Sequence, residues 1–199
     1  MTASGNLYLA VIHHPVYNKN GEVIASAVSN LDLHDISRAA KTYGVQAFYI
    51  VTPLEDQREL VERIMSHWTE GVGARYNPDR REALRLIRTA VSLDAVLDEI
   101  ASNGKGVPVT VVTDARPNPR NISYSALAEK LGGEEPYLLL FGTGWGLTRE
   151  FIDKADYVLA PIMGHTEYNH LSVRSAAAIV LDRLFGRKIG GRYGSYQGN

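Results

Sequence analysis

Apolar positions along this chain fall in short dense runs separated by amphipathic stretches. LYLAVIH (7–13), VQAFYIV (45–51), ALRLIRTAV (83–91), VPVTVVTD (107–114), YLLLFG (137–142) and YVLAP (157–161) read as strands. Most carry too few polar residues to alternate, the pattern of strands covered on both faces. Between them the period changes. EDQRELVERIMSHWTEG (55–71) repeats Leu60, Ile64 and Trp68 every fourth residue, a helical face. LHDISRAAKTYG (33–44) closes on Gly44, where a helix accepts positive φ. SLDAVLDEIASNG (92–104) opens on Ser92 as an N-cap and stops at Asn103-Gly104. SYSALAEKLGG (123–133) and HLSVRSAAAIVLDRLFG (170–186) follow the same logic. Alternation of this kind predicts an α/β fold, a mostly parallel sheet with helices on both faces.

Two stretches break the alternation. VYNKNGEVIASAVSN (16–30) is either a long loop or a hairpin turned at Asn20-Gly21. The end, GRKIGGRYGSYQGN, has five glycines and no apolar period. The organisation expected is one domain over 1–186 and a basic, Gly-rich arm over 187–199, flexible or ordered only on binding.

Composition narrows the chemistry. With 199 residues the chain is long enough for a core without covalent staples, and it has no cysteine. Disulfides, zinc–thiolate sites and cysteine nucleophiles are excluded, and a reducing cytoplasm is the expected setting. The start, MTASGNLYLAVIHHP, has neither the basic region of a signal peptide nor a membrane-length apolar run, and no later segment has one, so no membrane partner is expected. A formal net charge of −1 announces no polyanion partner. The distribution does. Arg75, Arg80, Arg81, Arg85 and Arg88 stand against only Asp79 and Glu82, and Arg183, Arg187, Lys188 and Arg192 stand against no acid. Such patches hold a polyanion locally, and the plainer reading is ordinary solvated charge.

The segment LLLFGTGWGL (138–147) carries the most information. A buried strand enters a loop with glycine at every second position, which lets backbone approach a ligand; a tight turn without ligand is the alternative. A dinucleotide-binding fingerprint fits badly, because the spacing is G-x-G-x-G and the loop follows the fifth apolar run, not the first. A phosphate-binding P-loop is excluded, since no Lys-Ser/Thr follows.

What comes next in the chain resembles the SpoU branch of the SPOUT methyltransferases. There a hydrophobic strand enters a glycine loop ending Gly-Leu, a strand with an Ile-Pro-like end follows, and a last helix opens on an Asn-x-Ser-Val-like element. The matching pieces are 138–147, 157–164 and 169–184. Near the front, LDLHDISRAAKTYGV resembles the branch's first motif, with Asp32, Arg38 and Gly44 as its polar residue, arginine and glycine. Three departures stand out: Ala160-Pro161 for Ile-Pro, Asp32 for the usual Asn, and His170 where Asn is expected unless Asn169 takes that role. The resemblance covers 7–184, and its last third is the specific part.

This resemblance implies a C-terminal trefoil knot, S-adenosylmethionine as cofactor, RNA (tRNA or rRNA) as substrate and a homodimer. It assigns the cofactor to three walls. Phe141, Gly142, Thr143, Gly144 and Gly146 form one; Ala160, Ile162 and Gly164, with Asn169, Leu171, Ser172 and Ser175 after them, form the second; Thr113 and Ala115 form the third. Arg38 is expected to orient a target phosphate or base, its fork being suited to bidentate contact, against the plainer reading of an ion pair with Asp35 or Asp32. Glu167 is the first candidate for general base and Asp32 the second. The alternative function is a non-catalytic relative that binds an adenosine-containing ligand or RNA.

Other constellations carry less. In HTEYNH (165–170) the histidines are five apart, not the four that put two ligands on one helical face, so no metal site is expected. His13 and His14 face opposite sides of a strand. Trp145, inside the glycine loop, either stacks on a nucleobase or folds back onto the core.

Overall fold

The computed structural model describes residues 6–186; the arm expected over 187–199 lies outside them. Nine strands form, β1 (Leu7–Ile12), β2 (Val16–Tyr17), β3 (Val23–Ile24), β4 (Phe48–Val51), β5 (Ile87–Ala90), β6 (Val109–Thr113), β7 (Asn121–Ile122), β8 (Tyr137–Gly142) and β9 (Tyr157–Leu159). The helices are α1 (Asn30–Thr42), α2 (Glu55–Thr69), α3 (Val72–Tyr76), α4 (Pro78–Leu84), α5 (Leu93–Ile100), α6 (Tyr124–Lys130), α7 (Arg149–Lys154) and α8 (Val173–Phe185). Seven strands make one sheet in the order β5-β4-β1-β8-β6-β9-β7. All its pairings are parallel.

Strand alternation splits the core in two. On one face Leu7, Leu9, Val11, Phe48, Leu139 and Phe141 meet Leu33 and Ile36 of α1, Val61 of α2, Leu84 of α4, Leu127 of α6 and Val180 of α8. On the other, Tyr8, Ala10, Ile12, Tyr49, Leu138 and Leu140 meet Val96 and Ile100 of α5 and Ile152 of α7. Burial on both faces is why these runs lack a polar alternation.

The late run β8 enters the centre of the sheet. It pairs with β1 from Leu7↔Tyr137 to Ile12↔Gly142, and with β6 from Val109↔Tyr137 to Val112↔Leu140. Strands β6, β8 and β9 are therefore parallel neighbours or next-neighbours, and the loops after them open on one edge of the sheet. In open parallel sheets that edge is where ligands bind.

Several boundaries differ from the sequence expectation. The run at 83–91 is only half strand, because Asn77 accepts a hydrogen bond from Arg80 N (2.9 Å) and Pro78 opens α4, which holds Ala83 and Leu84 in helix. The last helix begins at Val173, with Ser172 as its cap, so His170 and Leu171 belong to the preceding loop. The stretch 16–30 does contain a hairpin, β2 against β3, but its turn spans Asn18 to Glu22. There Asn18 Oδ1 accepts from the backbone of Asn20 (2.9 Å) and Glu22 (3.0 Å), and Gly21 takes φ +79°. Helix α3 and edge strand β7 are too short for either period to show in the sequence.

Candidate active site

The loops after β6, β8 and β9 enclose a cleft of about 690 Å³, within the roughly 300–1,000 Å³ of ligand pockets. Its floor is apolar, with Phe141, Leu159, Ile162, Val173, Ala176 and Val180. Polar residues Ser26, Asp32, Asp114, Arg116, Thr143 and Asn169 complete the lining.

The glycine loop is braced from outside the sheet. Trp145 N donates to Tyr17 O, Tyr17 N donates to Gly146 O (both 2.9 Å), and Gly146 N donates to Thr143 O (3.1 Å). Gly144 has φ +59° and Gly146 φ +99°, a region that an L side chain enters only with strain. The two glycines serve different ends. A Cβ on Gly144 would stand 2.9 Å from the Tyr17 carbonyl oxygen, so Gly144 lets hairpin strand β2 lie against the loop. A Cβ on Gly146 would project toward the Arg116 guanidinium at 3.7 Å, and Arg116 lines the cleft. Close approach to a ligand therefore belongs to Gly146 more than to Gly144.

Beneath the loop runs a hydrogen-bonded chain. Thr143 Oγ1 donates to Ile12 O (3.1 Å) and lies 2.5 Å from Ser26 Oγ, which is 3.0 Å from His13 Nδ1. His13 is 1% exposed. Burial pushes its pKa down to about 4, and backbone hydrogen bonding at Ser26 and Ala27 offsets only part of that. The imidazole is thus a neutral structural group that ties β1 and the hairpin segment to Thr143.

Two carboxylates reach the cleft, each held by an arginine. Asp114 binds Arg116 through Nη2 (2.9 Å) and Nε (3.2 Å), and this hydrogen bonding raises the arginine's pKa further. Asp32, nearly buried on α1, accepts from Arg174 Nη1 of α8 (3.2 Å), whose Nε is 3.6 Å from Asp35. The loop after β9 closes the third side, with Asn169 Nδ2 donating to Ala115 O (2.9 Å).

Of the residues the sequence assigned to cofactor, Thr113, Ala115, Phe141, Gly142, Thr143, Gly144, Gly146, Ala160, Ile162, Asn169, Leu171 and Ser172 line the cleft. Gly164 and Ser175 do not; Ser175 lies behind Ser172, 2.9 Å from its hydroxyl. Asp32 is at the cleft, whereas Glu167 is exposed outside its lining. Arg38 is exposed on α1, lines no part of the cleft, and makes no ion pair among the described residues. The ion pairs considered for it, with Asp35 or Asp32, are made by Arg174 instead. Trp145 does not fold back onto the core; it is 65% exposed at the rim.

Sequence reasoning missed Ser26, Arg116 and Arg174, and reached Asp114 only as part of the third wall from Thr113 to Ala115. Arg116 carried a signal, as a charged residue in the proline-flanked DARPNPR that directly follows a strand. Arg174 directly follows the Asn-x-Ser-Val-like element. Ser26 lay in the stretch whose form stayed open.

Among the described residues no group of three or more His, Asp or Glu stands close enough to hold a metal, and no helix is long and apolar enough to cross a membrane.

The fit to an adenosine-bearing sulfonium is good. The backbone of three loops over an apolar floor suits its purine ring, while the two carboxylates beside the cleft are already paired with Arg116 and Arg174.

Comparison with known proteins points the same way. Residues 6–186 match the model of a family described as SAM-dependent RNA methyltransferase. A tRNA (guanine-N(1)-)-methyltransferase of Nitratidesulfovibrio vulgaris is 46% identical over 183 residues, 91% of this chain, which spans only 42% of that protein's length. An uncharacterized protein of Aquifex aeolicus is 39% identical over 92% of this chain and 89% of its own. Among solved structures, the A. aeolicus TrmH/SpoU tRNA modifying enzyme superposes with TM-score 0.55 at 16% identity, over 90% of this chain and 74% of its own. The SpoU methyltransferase AviRb of Streptomyces viridochromogenes, in complex with AdoMet, gives TM-score 0.55 at 16% identity, over 93% and 61%. At that identity the likeness speaks for the fold, and the family match over every described residue carries the assignment: the chain belongs to a family of SAM-dependent RNA methyltransferases.

Proposed function

We propose that this protein transfers a methyl group from S-adenosylmethionine to tRNA or rRNA, at a base nitrogen or a ribose 2′-hydroxyl, and acts as a cytoplasmic homodimer. The observation that carries this is the cleft itself, walled by the loops after β6, β8 and β9 and lined by most of the residues expected to hold the cofactor. When bound, S-adenosylmethionine supplies an electrophilic methyl. The chain's own groups bind and orient. Main chain at Gly142, Thr143 and Gly146 would hold the purine, Ile162 and Phe141 would offer it apolar surface, and Asn169 holds the last loop to Ala115. Asp32 is the better placed acceptor for a proton from the target, ahead of Glu167, because it lines the cleft. The guanine-N(1) designation belongs to relatives of which this chain spans 42%, so no target atom is taken from it.

Arg38 lies outside its own chain's cleft, and Arg116, which lines that cleft, is committed to Asp114. The role of Arg38 in orienting RNA therefore rests on a second copy, docked through α1 and α8, where Leu31 and Ala178 are exposed. We also propose that the chain from Tyr137 onward threads a trefoil knot. Supporting this are the insertion of β8 between the earlier β1 and β6, and the Asn169–Ala115 bond across the loop after β6. The basic arm 187–199 is proposed to add phosphate contacts. Incubation with tritiated S-adenosylmethionine and RNA from cells lacking this gene tests the function. Nuclease-sensitive label that digests to one methylated nucleoside is expected; cofactor binding without such label would reduce the protein to a binder.

A further inference from the structure

Trp145 is an anomaly in its loop. Its neighbours are glycines, yet it is a large aromatic left 65% exposed. Its backbone is tied down, since Trp145 N donates to Tyr17 O and the Gly146 carbonyl accepts from Tyr17 N. The other tryptophan behaves differently. Trp68 carries the Arg80 guanidinium over its ring at 4.6 Å and meets His34 and His67 edge-on at 5.3 Å each. Trp145 has no such cover among the described residues. It stands at the mouth of the cleft beside Gly146, and the Arg116 guanidinium, anchored by Asp114, faces that glycine. An aromatic face and an arginine plane at one rim are the two surfaces on which an unstacked RNA base is held.

Resting on the methyltransferase reading above, we propose that Trp145 is the platform on which the target nucleobase stacks as it enters the cleft, with Arg116 as the second surface, so that Trp145 positions substrate and not cofactor. Stacking needs a π face of any base, so this residue sets the demand for an unpaired nucleotide, while atom selection lies with other groups.

The protein has only two tryptophans, so a Trp68→Phe background makes Trp145 the sole indole reporter. Unmodified bulk tRNA and, separately, rRNA from cells lacking the gene serve as probes. Quenching of Trp145 on adding the substrate RNA is expected. In the otherwise native chain, Trp145→Ala should raise the KM for RNA by about tenfold to a hundredfold, the scale of one lost base stack. Trp145→Phe should recover most of this, and calorimetric affinity for S-adenosylmethionine should stay at the native value in both. An unchanged KM in Trp145→Ala overturns the proposal. So does a loss of cofactor affinity that matches the loss for RNA, which would put Trp145 on the adenine. If the native protein itself binds no S-adenosylmethionine and methylates neither RNA, the underlying function fails, and this inference with it.

Discussion

Acidification should loosen the glycine loop through a single buried histidine. His13 titrates at about 4 in the folded protein because it is buried, against about 6.5 for a free histidine. Between those values the unfolded chain binds a proton that the folded chain does not, so stability rises with pH across the window. The contribution is complete at pH 7 and is lost as pH falls from about 6.5 to about 4. At about 1.4 kcal/mol per pKa unit, a gap of about 2.5 units is worth ~3 kcal/mol. Little of this is screened, since His13 is 1% exposed. The variant to compare is His13→Gln, which keeps a polar group near Ser26 but cannot titrate. Urea unfolding followed by circular dichroism, at half-unit steps from pH 7.5 to 4, gives both stability curves. Surface carboxylates titrate alike in the two proteins and cancel in the difference. The native protein should lose ~3 kcal/mol more than the variant between pH 7 and 4, although the variant starts lower from imperfect packing. Because Ser26 and Thr143 connect His13 to the loop, cofactor affinity of the folded native protein should weaken only as pH approaches about 4, where the folded imidazole itself takes up the proton. Parallel stability curves would refute the reasoning.

Gly146→Ala should leave the protein folded at a cost of ~1–2 kcal/mol for a side chain at φ +99° and lower S-adenosylmethionine affinity at least tenfold by calorimetry; native affinity would reduce the loop to a turn. Gly144→Val should also lose binding, but with a clearly larger drop in melting temperature, because its side chain meets the Tyr17 carbonyl; a native melting temperature would contradict the brace. Arg38→Ala should bind cofactor normally and lose about a hundredfold in methyl transfer; an unchanged rate would leave Arg38 as surface charge. Sedimentation at micromolar concentration should show twice the 21.9 kDa chain mass, and a single species at the chain mass would remove the dimer.

The sheet was readable because its central strands are buried on both sides: VQAFYIV and YLLLFG are apolar runs of strand length with Gly44, Pro53, Pro136 and Gly144 at or near their ends. Boundaries were less readable where a cap competes with a run. Asn77-Pro78 starts a helix that consumes Ala83 and Leu84, whose apolar character alone read as strand. At the site, main-chain walls were visible in glycine spacing and in the motif order, since close approach constrains residue type. Side-chain pairs were not. Nothing local in the sequence shows that Arg174 and not Arg38 reaches Asp32, because that pairing depends on how α1 and α8 cross the same sheet face. The division of labour between Gly144 and Gly146 was equally hidden, as it is set by a hairpin more than a hundred residues earlier in the chain.

The central claim is that the three loops at one sheet edge hold S-adenosylmethionine. Backbone hydrogen exchange with and without the compound, read by mass spectrometry, tests it most directly. Protection is predicted in three separated segments, 113–118, 142–147 and 160–172, with none in the Arg-rich stretch 75–88. Protection confined to another region, or absent at saturating S-adenosylmethionine, would contradict the account.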